Sequence, residues 1–206
     1  MKATLIDYGM GNLRSVQKAL EHVGFSQVDI SSEPESVISA DVLVFPGQGA
    51  FRKAMENLKR LNLIKPILSH IEKGKPFLGI CLGLQLLFER SYEHGETEGL
   101  GVLGGEVVLL PPKVKIPHIG WNQVWIEQRE GLFSGVDSGS FFYFVHSYHV
   151  VPKEESVIAS KTDYEVTFVS AVQVDNLWAV QFHPEKSQSK GLQLLNNFKN
   201  YCEAVL

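Results

Sequence analysis

Short apolar runs alternate with stretches of helical spacing through the first half of the chain. Four apolar runs predict buried strands, at residues 3–6, 28–30, 42–45 and 77–80. Apolar positions three and four residues apart predict helices, at residues 13–23, 51–63, 65–73 and 82–90. Gly24 follows the first helix, where a glycine commonly ends one. This alternation predicts a mostly parallel central sheet flanked by helices on both faces.

The second half changes to a β-rich pattern. Six segments predict strands, at residues 104–110, 121–127, 141–151, 157–161, 166–174 and 178–182. Asp175 and Asn176 predict a hairpin turn between the last two, and a final helix is predicted at residues 191–205. Because the chain has no internal repeat and no flexible linker, we expect one α/β domain over residues 1–206, with an added antiparallel β layer in its second half.

The charge balance disfavours a role in binding nucleic acids. The 206 residues include 19 Lys and Arg against 23 Asp and Glu, which gives a formal net charge of −4. Affinity for DNA or RNA backbone depends mainly on clustered positive charge, and the net charge here is negative. The composition does not exclude a phosphorylated substrate that a partner protein binds.

Cysteine usage and hydropathy indicate a cytoplasmic protein. The only cysteines, Cys81 and Cys202, form no CxxC pair, which excludes a zinc ribbon and a disulfide scaffold. No apolar run reaches the roughly 18 residues that a membrane span needs, and Asp7 interrupts the N-terminal apolar stretch too early for a signal peptide. In a reducing compartment both cysteines stay thiols, and we expect Cys202 to pack in the final helix.

A candidate nucleophile lies between a predicted strand and a predicted helix. Cys81 stands in Gly79-Ile80-Cys81-Leu82-Gly83, and glycines on both sides suit the sharp turn that exposes a nucleophile. Such a turn presents Cys81 at the carboxyl end of the sheet, where doubly wound folds place their sites. The start of a helix also favours the thiolate. Taken alone, Cys81 fits a buried core cysteine equally well.

A candidate base lies near the end of the chain, in Gln181-Phe182-His183-Pro184-Glu185. In extended chain, residues two apart point to the same side, so His183 and Glu185 can share a face. If the carboxylate reaches one ring nitrogen, it fixes the tautomer and leaves the other nitrogen for a thiol. Whether it reaches depends on the local twist, and a structural histidine beside a surface glutamate is the alternative.

An acyl-transfer nucleophile also needs donors for the oxyanion. The backbone N–H of Leu82, directly after Cys81, is one candidate. Pro46-Gly47-Gln48-Gly49 follows the neighbouring predicted strand and is a second, because its glycines let the backbone approach a ligand closely. A plain turn is the alternative for this segment.

The three segments together resemble the class I glutamine amidotransferases, whose fold is an α/β sheet flanked by helices. The match is carried by GICLGLQ at residues 79–85, QFHPEKS at residues 181–187 and PGQG at residues 46–49. Residues 7–13, 117–122 and 143–148 resemble the branch of this family that serves histidine biosynthesis. Leu84, where several other branches carry a histidine, and Lys186 favour the same branch. Gln48 departs from the small apolar residue of many relatives.

The resemblance implies hydrolysis of glutamine to glutamate and ammonia through a thioester on Cys81. It gives His183 the role of general base and acid, with Glu185 orienting it. It assigns Gly49 and its neighbours to the oxyanion strand. It also implies a set of substrate-binding residues, the last two through backbone groups: Gln85, Glu93, Ser147 and Tyr148.

The resemblance further implies a heterodimer in which ammonia passes to a separate cyclase subunit, which gates the glutaminase. It places four residues near the subunit interface and the ammonia entrance: Asn12, Trp121, Tyr143 and Lys186. It implies no cofactor. Gly9-Met10-Gly11 only begins a dinucleotide fingerprint, because Arg14 stands at the third glycine position. His118, His146 and His149 lack metal-ligand spacing, so we interpret them as structural or interfacial and expect no metal.

Three other functions stay open at this point. The chain could be the glutaminase of another amidotransferase, such as anthranilate synthase. It could be a non-catalytic binding subunit that keeps the fold, or a cysteine peptidase on a related sheet. The residues that match glutamine-binding positions weigh against a peptidase.

Overall fold

Five parallel strands form the centre of the sheet. The structure, a computed structural model, describes residues 1–206. The spatial order β2–β1–β3–β4–β13 joins strands from both ends of the chain: β1 (Lys2–Ile6), β2 (Gln27–Ser31), β3 (Val42–Gly47), β4 (Phe77–Cys81) and β13 (Leu177–Val180). Every residue of β3, β4 and β13 is buried, as expected for strands covered on both faces.

Helices cover both faces of these strands. The six are α1 (Leu13–His22), α2 (Pro34–Ser39), α3 (Phe51–Arg60), α4 (Ile64–Glu72), α5 (Leu82–Gln85) and α6 (Gln188–Val205). The apolar sides of α1 and α6 belong to one core cluster, whereas those of α2, α3 and α4 belong to a second. The predicted parallel sheet with helices on both faces is confirmed.

A mainly antiparallel extension continues the sheet beyond β13. Its strands are β5 (Phe88–Ser91), β6 (Thr97–Glu98), β7 (Leu103–Leu109), β8 (His118–Ile126), β9 (Ser140–His146), β10 (Tyr148–Pro152), β11 (Ile158–Asp163) and β12 (Thr167–Val174). The path runs β13–β12–β10–β7–β5–β6, and β11, β8 and β9 branch from β12. Within the extension only β5 and β7 pair in parallel. Asp175 and Asn176 turn the chain between β12 and β13, as predicted. The added antiparallel layer is therefore confirmed.

Several predicted boundaries are wrong. The predicted helix at 82–90 ends at Gln85, and residues 88–91 form β5. The run from Leu84 to Phe88 is buried throughout, so its apolar spacing does not distinguish a buried helix from a strand. The predicted strand at 141–151 is divided at Ser147 into β9 and β10. The sequence patterns also did not predict α2 or the two-residue strand β6.

Candidate active site

Cys81 lies on a strained turn at the carboxyl end of β4. Its φ is +55°, a left-handed conformation that costs a non-glycine residue free energy. A Cβ at Gly83 would overlap the Phe45 carbonyl oxygen, and one at Gly79 would meet the Ala179 Cβ at 3.0 Å. The two glycines therefore let the turn pack against β3 and β13. Cys81 lines a cavity of about 480 Å³.

His183 and Glu185 follow β13, which lies directly beside β4. The His183 Nδ1 atom is 2.8 Å from the Glu185 Oε1 atom, and both side chains are buried. The carboxylate therefore reaches the ring nitrogen, the point that the sequence left open. The backbone is held as well: the N–H of His183 donates to the Tyr143 carbonyl at 2.8 Å, and the Ser187 hydroxyl donates to the His183 carbonyl at 2.6 Å.

The charges of this group favour a protonated His183. Burial lowers the pKa of His183, but the charge of the nearby Cys81 and the contact with Glu185 together raise that pKa to about 10. The Nε2 atom of His183 is buried and has no hydrogen-bond partner, although Cys81 and His183 line the same cavity. At neutral pH these contacts therefore favour the imidazolium form of His183.

The two candidate oxyanion donors face the same cavity. Gly49 and Leu82 both line it, and Gly47 pairs directly with Cys81 in the register of β3 and β4. Gly49 has a φ of +100°, and a Cβ there would come within 2.7 Å of the Met10 methyl carbon. Leu82 begins α5, where a backbone N–H has no partner inside the helix. Since α5 is only four residues long, its dipole is small.

All four residues that the resemblance assigns to the substrate line this cavity: Gln85, Glu93, Ser147 and Tyr148. The Gln85 Nε2 atom donates to the Tyr148 carbonyl at 2.9 Å, which ties α5 to β10. One oxygen of Glu93, Oε2, accepts the N–H of Phe51 at 2.6 Å, at the start of α3. The carboxylate of Glu93 is therefore held in place by a helix start while it borders the cavity.

Sequence reasoning missed two residues at this site. Gln181 is fully buried, accepts from Gln85 Nε2 at 3.1 Å and lies 3.7 Å from the Cys81 sulfur through its own Nε2. Its position in the QFHPE segment is the signal that could have indicated a role. His146, interpreted as structural or interfacial, lines the cavity, and no local pattern marked it.

Three of the four predicted interface residues lie together in one group, which borders the cavity through Lys186. The Trp121 and Tyr143 rings are 5.9 Å apart, and the Lys186 Nζ atom is 6.0 Å from the centre of the Tyr143 ring. Lys186 also lines the cavity. Asn12 is not in this group: its side chain caps α1, 3.4 Å from the N–H of Ser15. Asn12 is connected to this group only indirectly, because the helix that it caps, α1, packs against the turn at residues 184–186 that carries Lys186.

The structure contains no group of three or more His, Cys, Asp or Glu residues that could hold a metal ion. None of its helices combines the length and the apolarity that crossing a membrane requires.

The family model for glutamine amidotransferase class-I matches residues 4–200. Imidazole glycerol phosphate synthase subunit HisH of Aquifex aeolicus is 63% identical over 205 residues, covering 100% of this chain and 99% of that protein. The subunit of the same name from Syntrophotalea carbinolica is 53% identical, covering 94% and 97%.

Two solved structures share the fold at low sequence identity. The structure of PurLQS from Thermotoga maritima aligns with a TM-score of 0.77 at 19% identity, covering 97% of this chain and 98% of that one. The glutaminase domain of CTPS from Trypanosoma brucei aligns with a TM-score of 0.66 at 16% identity, covering 97% and 94%. From the extent of the family match and the identity to its relatives, the chain belongs to the class I glutamine amidotransferases.

Proposed function

We propose that this chain is the glutaminase subunit of imidazole glycerol phosphate synthase. It hydrolyses glutamine and delivers ammonia to a cyclase subunit, which makes imidazole glycerol phosphate and aminoimidazole carboxamide ribonucleotide. The observation that carries the proposal is that Cys81 and His183 line one cavity, with buried Glu185 bonded to the Nδ1 atom of His183. The similarity to subunits of that synthase supports the choice of partner.

The proposed chemistry uses the ion pair of Cys81 and His183. The thiolate attacks the side-chain amide carbon of glutamine, and the N–H groups of Gly49 and Leu82 stabilise the oxyanion. The His183 imidazolium gives its proton to the leaving nitrogen, so ammonia departs and a thioester remains on Cys81. His183, now neutral, takes a proton from water, which attacks the thioester and releases glutamate. Glu185 keeps Nδ1 of His183 as the donor and stabilises each imidazolium form.

The cavity wall suits a free amino acid. In the proposed complex, Glu93 pairs with the α-ammonium group of glutamine, because its Oε2 atom is already held by the N–H of Phe51 and its Oε1 atom is not. Backbone groups of Ser147 and Tyr148 bind the substrate beside it, and Gln85 holds the Tyr148 carbonyl in place. A volume of about 480 Å³ accommodates a small molecule of this kind.

The proposed partner surface is the outer face of the β8–β9 ribbon. Alternation along the two strands turns one set of large side chains outward, of which all but Tyr143 are exposed: Ile119, Trp121, Phe141 and Tyr143. Contiguous exposed apolar surface of this kind is typical of an interaction site. Because Tyr143 and Lys186 border this face and Lys186 lines the cavity, a cyclase docked there would receive ammonia before water protonates it.

The decisive experiment measures glutamate release from glutamine in three mixtures. They are the chain alone, the chain with an imidazole glycerol phosphate cyclase subunit, and that complex with the cyclase's nucleotide substrate. We expect a low rate that rises strongly only in the third. Absence of hydrolysis in a complex shown to form would contradict the glutaminase and indicate a non-catalytic subunit. Stimulation by an anthranilate synthase partner instead would contradict the assigned pathway.

Cys81→Ala separates the two activities of the complex. Because the variant lacks the nucleophile, we expect glutamine-driven synthesis to fall to background. Synthesis driven by added ammonium should be unchanged, since that chemistry belongs to the cyclase. Cys202→Ala is the matched control, because Cys202 is buried in α6 outside the cavity. Loss of both activities in Cys81→Ala would contradict this division of labour.

A further inference from the structure

A series of hydrogen bonds connects strand β8 with the glutamine cavity. The Asn122 Nδ2 atom is 3.3 Å from the His118 Nε2 atom. The His118 Nδ1 atom is 2.9 Å from the His146 Nε2 atom, and the His146 Nδ1 atom is 2.9 Å from the Tyr148 carbonyl oxygen. His118 and His146 are direct cross-strand neighbours in β8 and β9, and are only 3% and 6% exposed.

Hydrogen-bond chemistry allows only one direction for this series. The Tyr148 carbonyl can only accept, so Nδ1 of His146 carries the proton. Burial lowers the pKa of His118 to about 4 and that of His146 to about 3, so both rings are neutral at pH 7. A neutral His146 must therefore accept at Nε2 from Nδ1–H of His118. Nε2 of His118 then accepts from the amide of Asn122.

Independent contacts fix the first two members of the series, Asn122 and His118. The Asn122 Oδ1 atom accepts the N–H of Gln123 at 2.7 Å, and its Nδ2 atom also donates to the Asp163 carbonyl at 2.9 Å. The amide orientation that these bonds require is the one that donates to His118. The His118 ring is stacked between Tyr164 and Phe144, with centroids 4.0 and 5.0 Å away.

At the cavity, the series ends on an atom that the proposed substrate site depends on. The Tyr148 carbonyl accepts from both His146 Nδ1 and Gln85 Nε2, so both of its lone pairs are used. The Ser147 carbonyl accepts the N–H of Leu110 at 2.9 Å. The Ser147 carbonyl belongs to the peptide before Tyr148, and the Tyr148 carbonyl belongs to the peptide after it. Both peptides that flank Tyr148 are therefore held by hydrogen bonds, and rotation of either one would break at least one bond.

We propose that His118 and His146 are positioning residues that hold the Ser147–Tyr148 wall of the glutamine cavity in register with the partner-facing strand β8. The inference rests on the proposed function, because it assigns the wall to glutamine. A phenyl ring at position 118 could keep the stacking on Tyr164 and Phe144 but would form no hydrogen bond. Two buried imidazoles in one hydrogen-bonded series instead specify a unique arrangement.

The first test compares variants in the complex with the cyclase and its nucleotide substrate. His118→Phe removes the donor to His146 and keeps an aromatic ring, so we expect the KM for glutamine to rise about tenfold while ammonium-driven synthesis is unchanged. In His118→Asn the side-chain amide places an N–H near the former Nδ1 position, and most of the affinity should return. His149→Phe is the matched control, because the His149 ring packs against Phe168, as the His118 ring does, but forms no bond in the series.

A second test needs no variant. Long-range ¹H–¹⁵N spectra of the histidine-labelled wild-type chain at pH 7 should show both His118 and His146 protonated at Nδ1 and not at Nε2. An Nε2–H form of either ring would overturn the proposal, as would an unchanged KM in a folded His118→Phe. If the wild-type complex releases no glutamate, the proposed function fails, whereas the spectra still decide whether the series exists.

Discussion

The parallel centre and the antiparallel extension contribute to the site in different ways. In the centre, β3 and β4 are buried along their whole length, and reactive side chains stand where strands end, at Cys81 and His183. In the extension, β9 alternates between buried and more exposed residues. Its contribution is a backbone wall at Ser147–Tyr148 and an outward apolar face. The centre therefore supplies the reactive side chains. The extension supplies the backbone wall and the outward face, whose positions depend on how its strands pair.

The largest expected contrast between the two regions concerns two glycines. A Cβ at Gly83 would overlap the backbone carbonyl of Phe45, whereas a Cβ at Gly104 would meet only the flexible side chain of Lys153, no closer than 3.4 Å. We expect Gly83→Ala to lower the free energy of unfolding by more than about 3 kcal/mol. Gly104→Ala should change it by less than about 0.5 kcal/mol. Urea unfolding of both variants measures the difference, and equal effects would contradict the tighter packing of the centre.

The same contrast explains how much the sequence could predict. The turn at Cys81 was predictable because its needs are local, namely glycines two residues away on each side. The contact between His183 and Glu185 was predictable only in part. A spacing of two residues in extended chain places both side chains on one side, but it does not give the distance between them. The His118–His146 contact depends on the register of β8 with β9, 28 residues apart. The Gln85–Tyr148 bond spans 63 residues, and no local pattern carries such information.

Histidines of the two regions should respond to pH with opposite sign. Unfolded histidine takes up a proton near pH 6.5. Folded His183, with its pKa raised to about 10, contributes stability that is complete below pH 6.5 and is lost as the pH rises towards 10. Folded His118, with its pKa lowered to about 4, stays neutral and destabilises the fold as the pH falls below 6.5.

His118→Phe isolates the acid side of this contrast. Between pH 8 and pH 5, the wild-type chain should lose about 2 kcal/mol more than the variant, because at pH 5 the unfolded His118 is protonated and the folded one is not. Unfolding experiments at the two pH values measure this difference. Parallel curves of unfolding free energy against pH for wild type and His118→Phe would contradict the buried neutral ring.

His183 gives the opposite side of the contrast. In NMR titrations, His183 should change charge near pH 10 in wild type and at lower pH in Cys81→Ala.

The outer face of the extension offers a contrast within one strand. Trp121 and Trp125 lie on the same side of β8 and are 45% and 47% exposed, about 13 Å apart along the strand. Trp121 packs against Tyr143, which lies beside the cavity-lining residue Lys186. We expect Trp121→Ser to weaken binding of the cyclase roughly tenfold, and Trp125→Ser to change it little. Calorimetric titration of the cyclase with each variant is the measurement. Equal losses would move the interface along β8, away from the cavity.

The smallest expected effect concerns one buried hydroxyl in each region. The hydroxyls of Tyr8, in the loop after β1, and Thr162, in β11, are buried without a hydrogen-bond partner. An unpartnered buried hydroxyl costs free energy, so Tyr8→Phe and Thr162→Val should each stabilise the chain by about 1 kcal/mol. Thermal unfolding of the two variants beside wild type measures this effect.

The pair is informative because the two hydroxyls have different neighbours. The Tyr8 hydroxyl lies against Gly47, which pairs with Cys81, and its pKa is raised by burial and by the charge of Cys81, so the phenol remains a donor. Thr162 has no such neighbour at the cavity. Equal stabilisation would mean that both hydroxyls are passive. If Thr162→Val stabilises the chain and Tyr8→Phe destabilises it, the phenol must donate to a group beside Gly47, and the centre would contain a support for its oxyanion segment that the extension lacks.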